Sequence, residues 1–317
     1  MTNPVRDVVR ELISAYQDLN PPSIDELEDE PSALEFMRYV ARNRPFVLRK
    51  GAKQWKACRK WNDQYLRKVM EGQTVNVAIT PLGNADSPLK TENGLTFIKP
   101  YEIEESFNEV LDKIQAQEQG QDKTGFVRYA QTQNDNLRNE YKSLFSDVPP
   151  SIPFAGIALQ KEPEAINFWM GNSHSTTALH RDPYENVYVQ VLGRKHFVLL
   201  PSVETPCVNE TVLPAATYVA SPTSPSLCRT VKPKDKEFTL KPKLDDPPSS
   251  VPFATWDPDI PDVRATEFSS LSRPLRVTLE PGDLLYLPAL WYHKVKQSCS
   301  NEHVCVAVNY WCVETSN

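Results

Sequence analysis

Residues 177–201 read TALHRDPYENVYVQVLGRKHFVLLP, and the rest of the chain is organised around this stretch. His180 and Asp182 stand two positions apart in it. Side chains alternate along an extended strand, so residues i and i+2 share one side. A His-x-Asp pair at a strand end can therefore offer one nitrogen and one oxygen to the same metal ion. Two ligands do not make a site. The other histidines are His174, His196, His293 and His303. Of these, His293 closes LEPGDLLYLPALWYH, where an apolar run ends in aromatics and then the imidazole. Two histidines and one carboxylate on one face of a metal, with the other positions open, is the ligand set of non-haem Fe(II) oxygenases. A lone His-x-Asp is a common pattern, and a hydrogen-bonded or surface histidine is the plain alternative for each of these residues.

Lys195 adds a second signal. It lies inside the strand-like run Gly193 to Leu200, where a lysine facing a core is costly unless it has a partner. One reading is a solvent-facing lysine on a hairpin turning at Leu192-Gly193-Arg194. The other is a cation that holds the far carboxylate of a keto-acid cosubstrate.

Several further blocks follow in order: NFWMG at 167–171, TALHRDPYEN at 177–186, GRKHFVLLP at 193–201, PAATY at 214–218, PGDLLYLPALWYH at 281–293 and AVNYW at 307–311. Taken together, from about residue 30 to the C-terminus, the chain resembles the JmjC-domain Fe(II)/2-oxoglutarate oxygenases, and most of all their lysyl hydroxylase type. The resemblance implies a mainly β fold, a double-stranded β-helix (jelly-roll or cupin barrel) with flanking helices. It implies Fe(II) on His180, Asp182 and His293. It implies 2-oxoglutarate held by Lys195, with Thr177, Tyr129, Asn186 and Asn309 beside it. For Tyr129 a tyrosine simply packed on its strand is the alternative. The implied reaction is hydroxylation of a protein lysine at carbon, in a substrate such as a translation-linked GTPase. Demethylation of methyl-lysine or methyl-arginine, peptidase activity, and a non-catalytic cupin-like binding protein stay open beside it.

Composition sets bounds on these readings. The chain has 317 residues, 24% of them charged, and a net charge of −6. That balance argues against a nucleic-acid surface as the main partner. The N-terminus MTNPVRDVVREL carries charges where a signal peptide needs an apolar core. No apolar run reaches the ~20 residues of a membrane span. The cysteines Cys58, Cys207, Cys228, Cys299, Cys305 and Cys312 form no CxxC pair and read as reduced thiols. A cytoplasmic or nuclear protein is the expectation.

The chain divides into an N-terminal helical region, 1–44, packed on the barrel, and a barrel region, 45–317, with a proline-rich insertion at about 203–273. Val5, Val8, Val9, Leu12, Ile13 and Tyr16 recur at helical spacing, and Ser32 with Glu35 forms a capping box for a second helix. Helices are also expected over 62–71 and 101–117, and strands over 45–49, 75–80, 95–100, 126–131 and 166–171. Trp169 and Asn172 are expected at the substrate opening. His174 reads as a loop histidine, and His196, next to Lys195, as pointing away from the site. The insertion holds no glycine and a lysine-rich patch at 231–244, and it reads as an excursion without a core of its own, anchored by Tyr218 and Trp256. After Trp311 the sequence soon stops, where relatives carry helices that help build a dimer, so a homodimer is left open.

Overall fold

The computed structural model describes residues 4–122, 124–222 and 238–314. In chain order the elements are α1 (Pro4–Leu19), β1 (Asp25–Leu27), α2 (Ala33–Arg42), β2 (Phe46–Leu48), α3 (Lys56–Lys60), α4 (Asp63–Val69), β3 (Thr74–Thr80), β4 (Ser87–Thr91), β5 (Gly94–Lys99) and β6 (Tyr101–Ser106). Then come α5 (Phe107–Glu118), β7 (Val127–Tyr129), α6 (Lys142–Phe145), α7 (Pro153–Leu159), β8 (Ala165–Gly171), β9 (Thr176–His180), β10 (Tyr184–Leu192) and β11 (Arg194–Leu200). The chain closes with β12 (Glu210–Pro222), β13 (Phe238–Leu244), β14 (Ser250–Ala254), β15 (Leu275–Leu279), β16 (Leu284–Leu287), β17 (Tyr292–Ser298) and β18 (Cys305–Glu314).

Two sheets face each other as a jelly roll. One has the order β1-β2-β16-β10-β18-β8, the other β15-β11-β17-β9. The alternation of each strand assigns its residues to inside or outside. Tyr188, Leu285, Leu287 and Ala307 from the first sheet meet Phe197, Leu199 and Val295 from the second in one interior cluster. The opposite faces of the first sheet's strands, Val187, Val189, Tyr286, Val308 and Phe168, join a larger cluster with Phe36 of α2, Leu66 of α4, Val110 of α5 and Phe154 of α7. On the far side Val198 and Leu200 pack under Ala254 and Trp256. The barrel wall is therefore apolar on both faces, which is why β10, β11 and β16 read as near-continuous hydrophobic runs rather than strict alternation.

The link from β10 to β11 is not a hairpin. β10 pairs with β16 and β18, while β11 pairs with β15 and β17. Gly193, at φ +68°, turns the chain from one sheet into the other, and a Cβ there would lie 2.5 Å from the Ser298 carbonyl oxygen. Only glycine accepts both the left-handed backbone and the contact. Of the two readings of Lys195, the solvent-facing one falls with the hairpin: the side chain is 2% exposed and points into the barrel.

Three other expectations change. Residues 101–106 form β6, paired with β3, and the helix starts at Phe107, where the Ser106 hydroxyl accepts from the Glu109 N–H. The alternating YEIEES and the capping serine carry that boundary. α1 forms as expected, but only Ile13 of its apolar positions is fully buried, while Val5, Val8, Leu12 and Leu19 are exposed. Its anchors are in the excursion rather than the barrel, through Arg10 to the Glu267 carbonyl and Gln17 to the Leu271 carbonyl. The excursion itself is built, not bare: β12 pairs with β5, β13 and β14. Small clusters form around Phe97, Leu213 and Ala215, and around Ile98, Ala216 and Tyr218. Cys228 and residues 231–237 of the lysine-rich patch lie outside the described residues; the five described cysteines are free thiols.

Ion pairs tie the excursion to the barrel. Asp259 accepts from Lys294 at 2.7 Å, Lys296 at 2.8 Å and Arg276 at 2.9 Å. Asp257 accepts from Lys294 at 2.6 Å. Burial would raise the Asp259 carboxyl, but the hydrogen bonds from the three cations outweigh it and hold it well below the usual carboxylate range. A carboxyl depressed in the folded state stabilises above its unfolded pKa of about 3.9 and loses that contribution as pH falls toward the folded value. Asp259→Asn is therefore expected to cost about 1–2 kcal/mol at pH 7 and distinctly less at pH 3, read from urea unfolding at both pH values.

Candidate metal centre and active site

β9 and β17 lie side by side, and their register puts His293 directly opposite His180. A β-bulge between His293 and Val295 breaks the ladder there. Such bulges re-aim side chains beside functional sites. The two imidazole rings sit with centroids 4.1 Å apart. Asp182 Oδ2 lies 3.7 Å from the Nε2 of each histidine. Among the described residues, these three form the group able to share one metal ion, their candidate ligand atoms all within 4.8 Å of one another.

The tautomers are set by the backbone. His180 Nδ1 lies 2.8 Å from the Ala178 carbonyl oxygen, and His293 Nδ1 lies 3.1 Å from that of Trp291. A carbonyl only accepts, so each Nδ1 carries the hydrogen and each Nε2 presents its lone pair to the centre. Burial, and then the neighbouring His180, lower the His293 pKa to about 4, which keeps that imidazole neutral at neutral pH. Two imidazoles and one carboxylate, without thiolates, suit a divalent transition metal with open positions.

The loop that carries Asp182 is braced from outside the motif. The Leu290 N–H donates to the Asp182 carbonyl at 2.8 Å. Arg181, between the two ligands, pairs with Glu210 at 2.9 Å and lies over the Tyr292 ring at 5.0 Å. The Tyr292 hydroxyl donates to the other oxygen of Glu210 at 2.6 Å. Burial, then that hydrogen bond, push the Tyr292 phenol up to about 12. Glu210, the first residue of β12, thus bridges the neighbours of all three candidate ligands. It sits in the proline-rich excursion with no motif around it, so nothing in the sequence singles it out.

Deeper in the same pocket lies Lys195. It is inward on β11, with Phe197 and Leu199. Its Nζ donates to the Tyr129 hydroxyl at 2.7 Å and lies 5.1 Å and 5.9 Å from the ring centroids of Tyr129 and Tyr188. Burial works against the ammonium, but the electron-rich phenols of Tyr129 and Tyr188 and the hydrogen bond outweigh it and keep the amine protonated. Among the described residues no carboxylate pairs with it. A buried cation without an anion is expensive, and it marks a place for one.

The other sequence candidates gather here too. Tyr129, Thr177, Asn186 and Asn309 all line the pocket. The Trp169 indole N–H donates to Asn309 Oδ1 at 2.8 Å, and Asn309 Nδ2 donates to Asn186 Oδ1 at 3.0 Å. An indole nitrogen only donates, so this chain fixes both amide orientations. Trp169 lines the pocket. Asn172 does not: it is fully buried and holds α5, donating to the Ile114 carbonyl and to Gln117. Its place directly past the end of β8, under α5, removes it from the pocket. His174 is exposed, and His196 lies on the outer face between Thr278 and Ser298.

Comparison with known proteins agrees with this geometry. The profile of the cupin-like domain family matches residues 31–316. The chain is 35% identical to the Homo sapiens bifunctional peptidase and (3S)-lysyl hydroxylase JMJD7, over 97% of this chain and 90% of that protein. It is 33% identical to JmjC domain-containing protein E of Dictyostelium discoideum, over 95% and 90%. It is 32% identical to the Arabidopsis thaliana lysine-specific demethylase JMJ32, over 91% and 81%.

Removing the Glu210 bridge separates bracing from ligation. Glu210→Ala is expected to lower metal affinity about 10–100-fold while leaving His180, Asp182 and His293 in place. Titration of the purified variant with Mn(II), followed by the change in free-ion signal, measures it.

Proposed function

Because this chain belongs to the JmjC branch of the cupin-like family, whose members include 2-oxoglutarate-dependent oxygenases, we propose that it hydroxylates a carbon of a lysine side chain in a protein substrate. The observation that carries the reading is the buried Lys195 ammonium, lacking a carboxylate partner, in the same pocket as the His180–Asp182–His293 group. The first group asks for an anion and the second for a metal. A keto-acid cosubstrate bound to iron answers both.

In this reading His180, Asp182 and His293 hold Fe(II), and Lys195 binds the far carboxylate of 2-oxoglutarate. A compact ammonium suits a single carboxylate in a narrow barrel. Tyr129 orients Lys195 through its hydroxyl, and Thr177 stands on β9 three residues before His180, where it can bond the cosubstrate. The Trp169–Asn309–Asn186 chain holds the pocket wall in one arrangement. Bound iron and 2-oxoglutarate supply the oxidising chemistry; the chain positions them and keeps water from the reacting centre. The lysine itself is supported by the name of the human relative, and the Arabidopsis relative, named a demethylase, gives methyl-lysine as the second outcome to separate.

The test is 2-oxoglutarate turnover with Fe(II), ascorbate and lysine peptides, read by mass spectrometry. One added oxygen on a lysine supports hydroxylation, whereas loss of a methyl group moves the enzyme to demethylation. Asp182→Ala is expected to abolish both metal binding and turnover. Lys195→Met is expected to keep metal binding and to raise the KM for 2-oxoglutarate about 10–100-fold, the loss of one charge-assisted contact. An unchanged KM would remove Lys195 from the cosubstrate site.

A further inference from the structure

One titratable group in the pocket is used by neither the metal centre nor the cosubstrate. Asp86 lines the same pocket as His180, Asp182 and His293, on the loop between β3 and β4. It is half-buried, and Gln131 Nε2 donates to its Oδ2 at 2.9 Å. Among the described residues it forms no ion pair. Burial raises its pKa, the Gln131 hydrogen bond and the more distant His180 and Lys99 charges oppose this, and Glu102 adds to it. It is a carboxylate partly withdrawn from water with no ion-pair partner among the described residues, the converse of Lys195 in the same pocket.

The backbone holds this carboxylate in place. Asp86 has φ +52°, a left-handed turn conformation that aspartate tolerates. Its loop is pinned to the strand that carries His180: the Thr176 N–H donates to the Gly83 carbonyl at 2.7 Å, and the Gly83 N–H donates to Thr80 Oγ1 at 2.9 Å. Gly83, at φ +71°, packs so closely that a Cβ would lie 2.0 Å from the His174 carbonyl oxygen.

The walls leading to it are apolar. Phe253 of β14 and Trp311 of β18 line the pocket, the Trp311 ring stacked on Tyr184 at 4.7 Å and Phe253 against Phe97 at 5.0 Å. Aromatic walls leading to a lone carboxylate match a side chain with an apolar stem and a charged tip. We propose that Asp86 is the receptor for the ammonium group of the substrate lysine, with its methylenes running along Phe253 and Trp311 toward the metal centre. This rests on the lysyl reading given above.

The chemistry narrows the ligand further. Gln131 donates to one carboxylate oxygen and holds the group in one orientation, with the other oxygen left to accept from an ammonium. A trimethylated ammonium has no N–H to give and would leave the carboxylate without a hydrogen bond. The site therefore prefers an ammonium that keeps its N–H groups over a trimethylammonium.

The test uses the full chain loaded with Mn(II) and 2-oxoglutarate, which supports binding near a paramagnetic centre. The probes are Nα-acetyl-lysine methylamide, its norleucine analogue and its Nε-trimethyl analogue, and the readout is paramagnetic broadening of the probe's methylene proton signals. The lysine probe is expected to bind at least about tenfold more tightly than the norleucine and trimethyl probes, and Asp86→Asn to erase that preference. Retained Mn(II) affinity in Asp86→Asn shows that the variant is folded, and Asp86→Glu is expected to recover part of the preference. A lysine preference that survives Asp86→Asn, or equal binding of all three probes to the natural sequence, overturns the proposal. A natural protein that takes up no Mn(II) overturns the metal-site reading and this proposal together, so the two failures are distinguishable.

Discussion

The pairing of His180 with His293 across β9 and β17 is the constraint on which the rest of the structure depends. It brings together residues more than a hundred positions apart, and it does so with backbone hydrogen bonds rather than side-chain contacts. A slip of one residue in either strand would send one imidazole to the outer face. The outer face is already filled by Trp256, Val198 and Leu200, and the inner one by Phe197 and Leu199. Core packing on both sides of the wall therefore holds the register, and the register builds the metal centre.

Two charged side chains without an ion-pair partner among the described residues share the pocket. Lys195 is buried and bonded to a phenol, and Asp86 is half-buried and bonded to an amide. They are kept apart rather than paired with each other, although a direct ion pair would cost the fold less. Each charge left for a ligand makes the free protein less stable and the loaded one more selective. The surrounding structure offsets this with tightly bonded groups, among them the Trp169–Asn309–Asn186 chain and the Arg181–Glu210–Tyr292 bridge.

Much of this was legible in the chain. The spacing of His180 and Asp182, the strand leading to His293, and the lysine inside an apolar run all carry chemistry in residue type and period. Local signals misled where two structures share one pattern. YEIEES followed by an amphipathic helix reads as one long helix until the Ser106 cap is recognised. A glycine between two strands reads as a hairpin, and only the pairing partners of β10 and β11 show it to be a corner between sheets. Glu210 and Asp86 sit in segments without periodicity, where nothing local distinguishes a bracing or binding carboxylate from a solvated one.

By itself the sequence determined most of the strand and helix content, the candidate ligand types and the presence of a lysine inside an apolar run. These follow from composition and from periods of two and 3.6 residues, which are properties of short stretches. Only the tertiary structure decided that Lys195 faces inward without a carboxylate partner, that Asn172 holds a helix instead of facing substrate, and that Asp86 shares the pocket with the metal ligands. Those outcomes depend on which strand lies beside which and on what fills each face, and no stretch of chain carries that information alone.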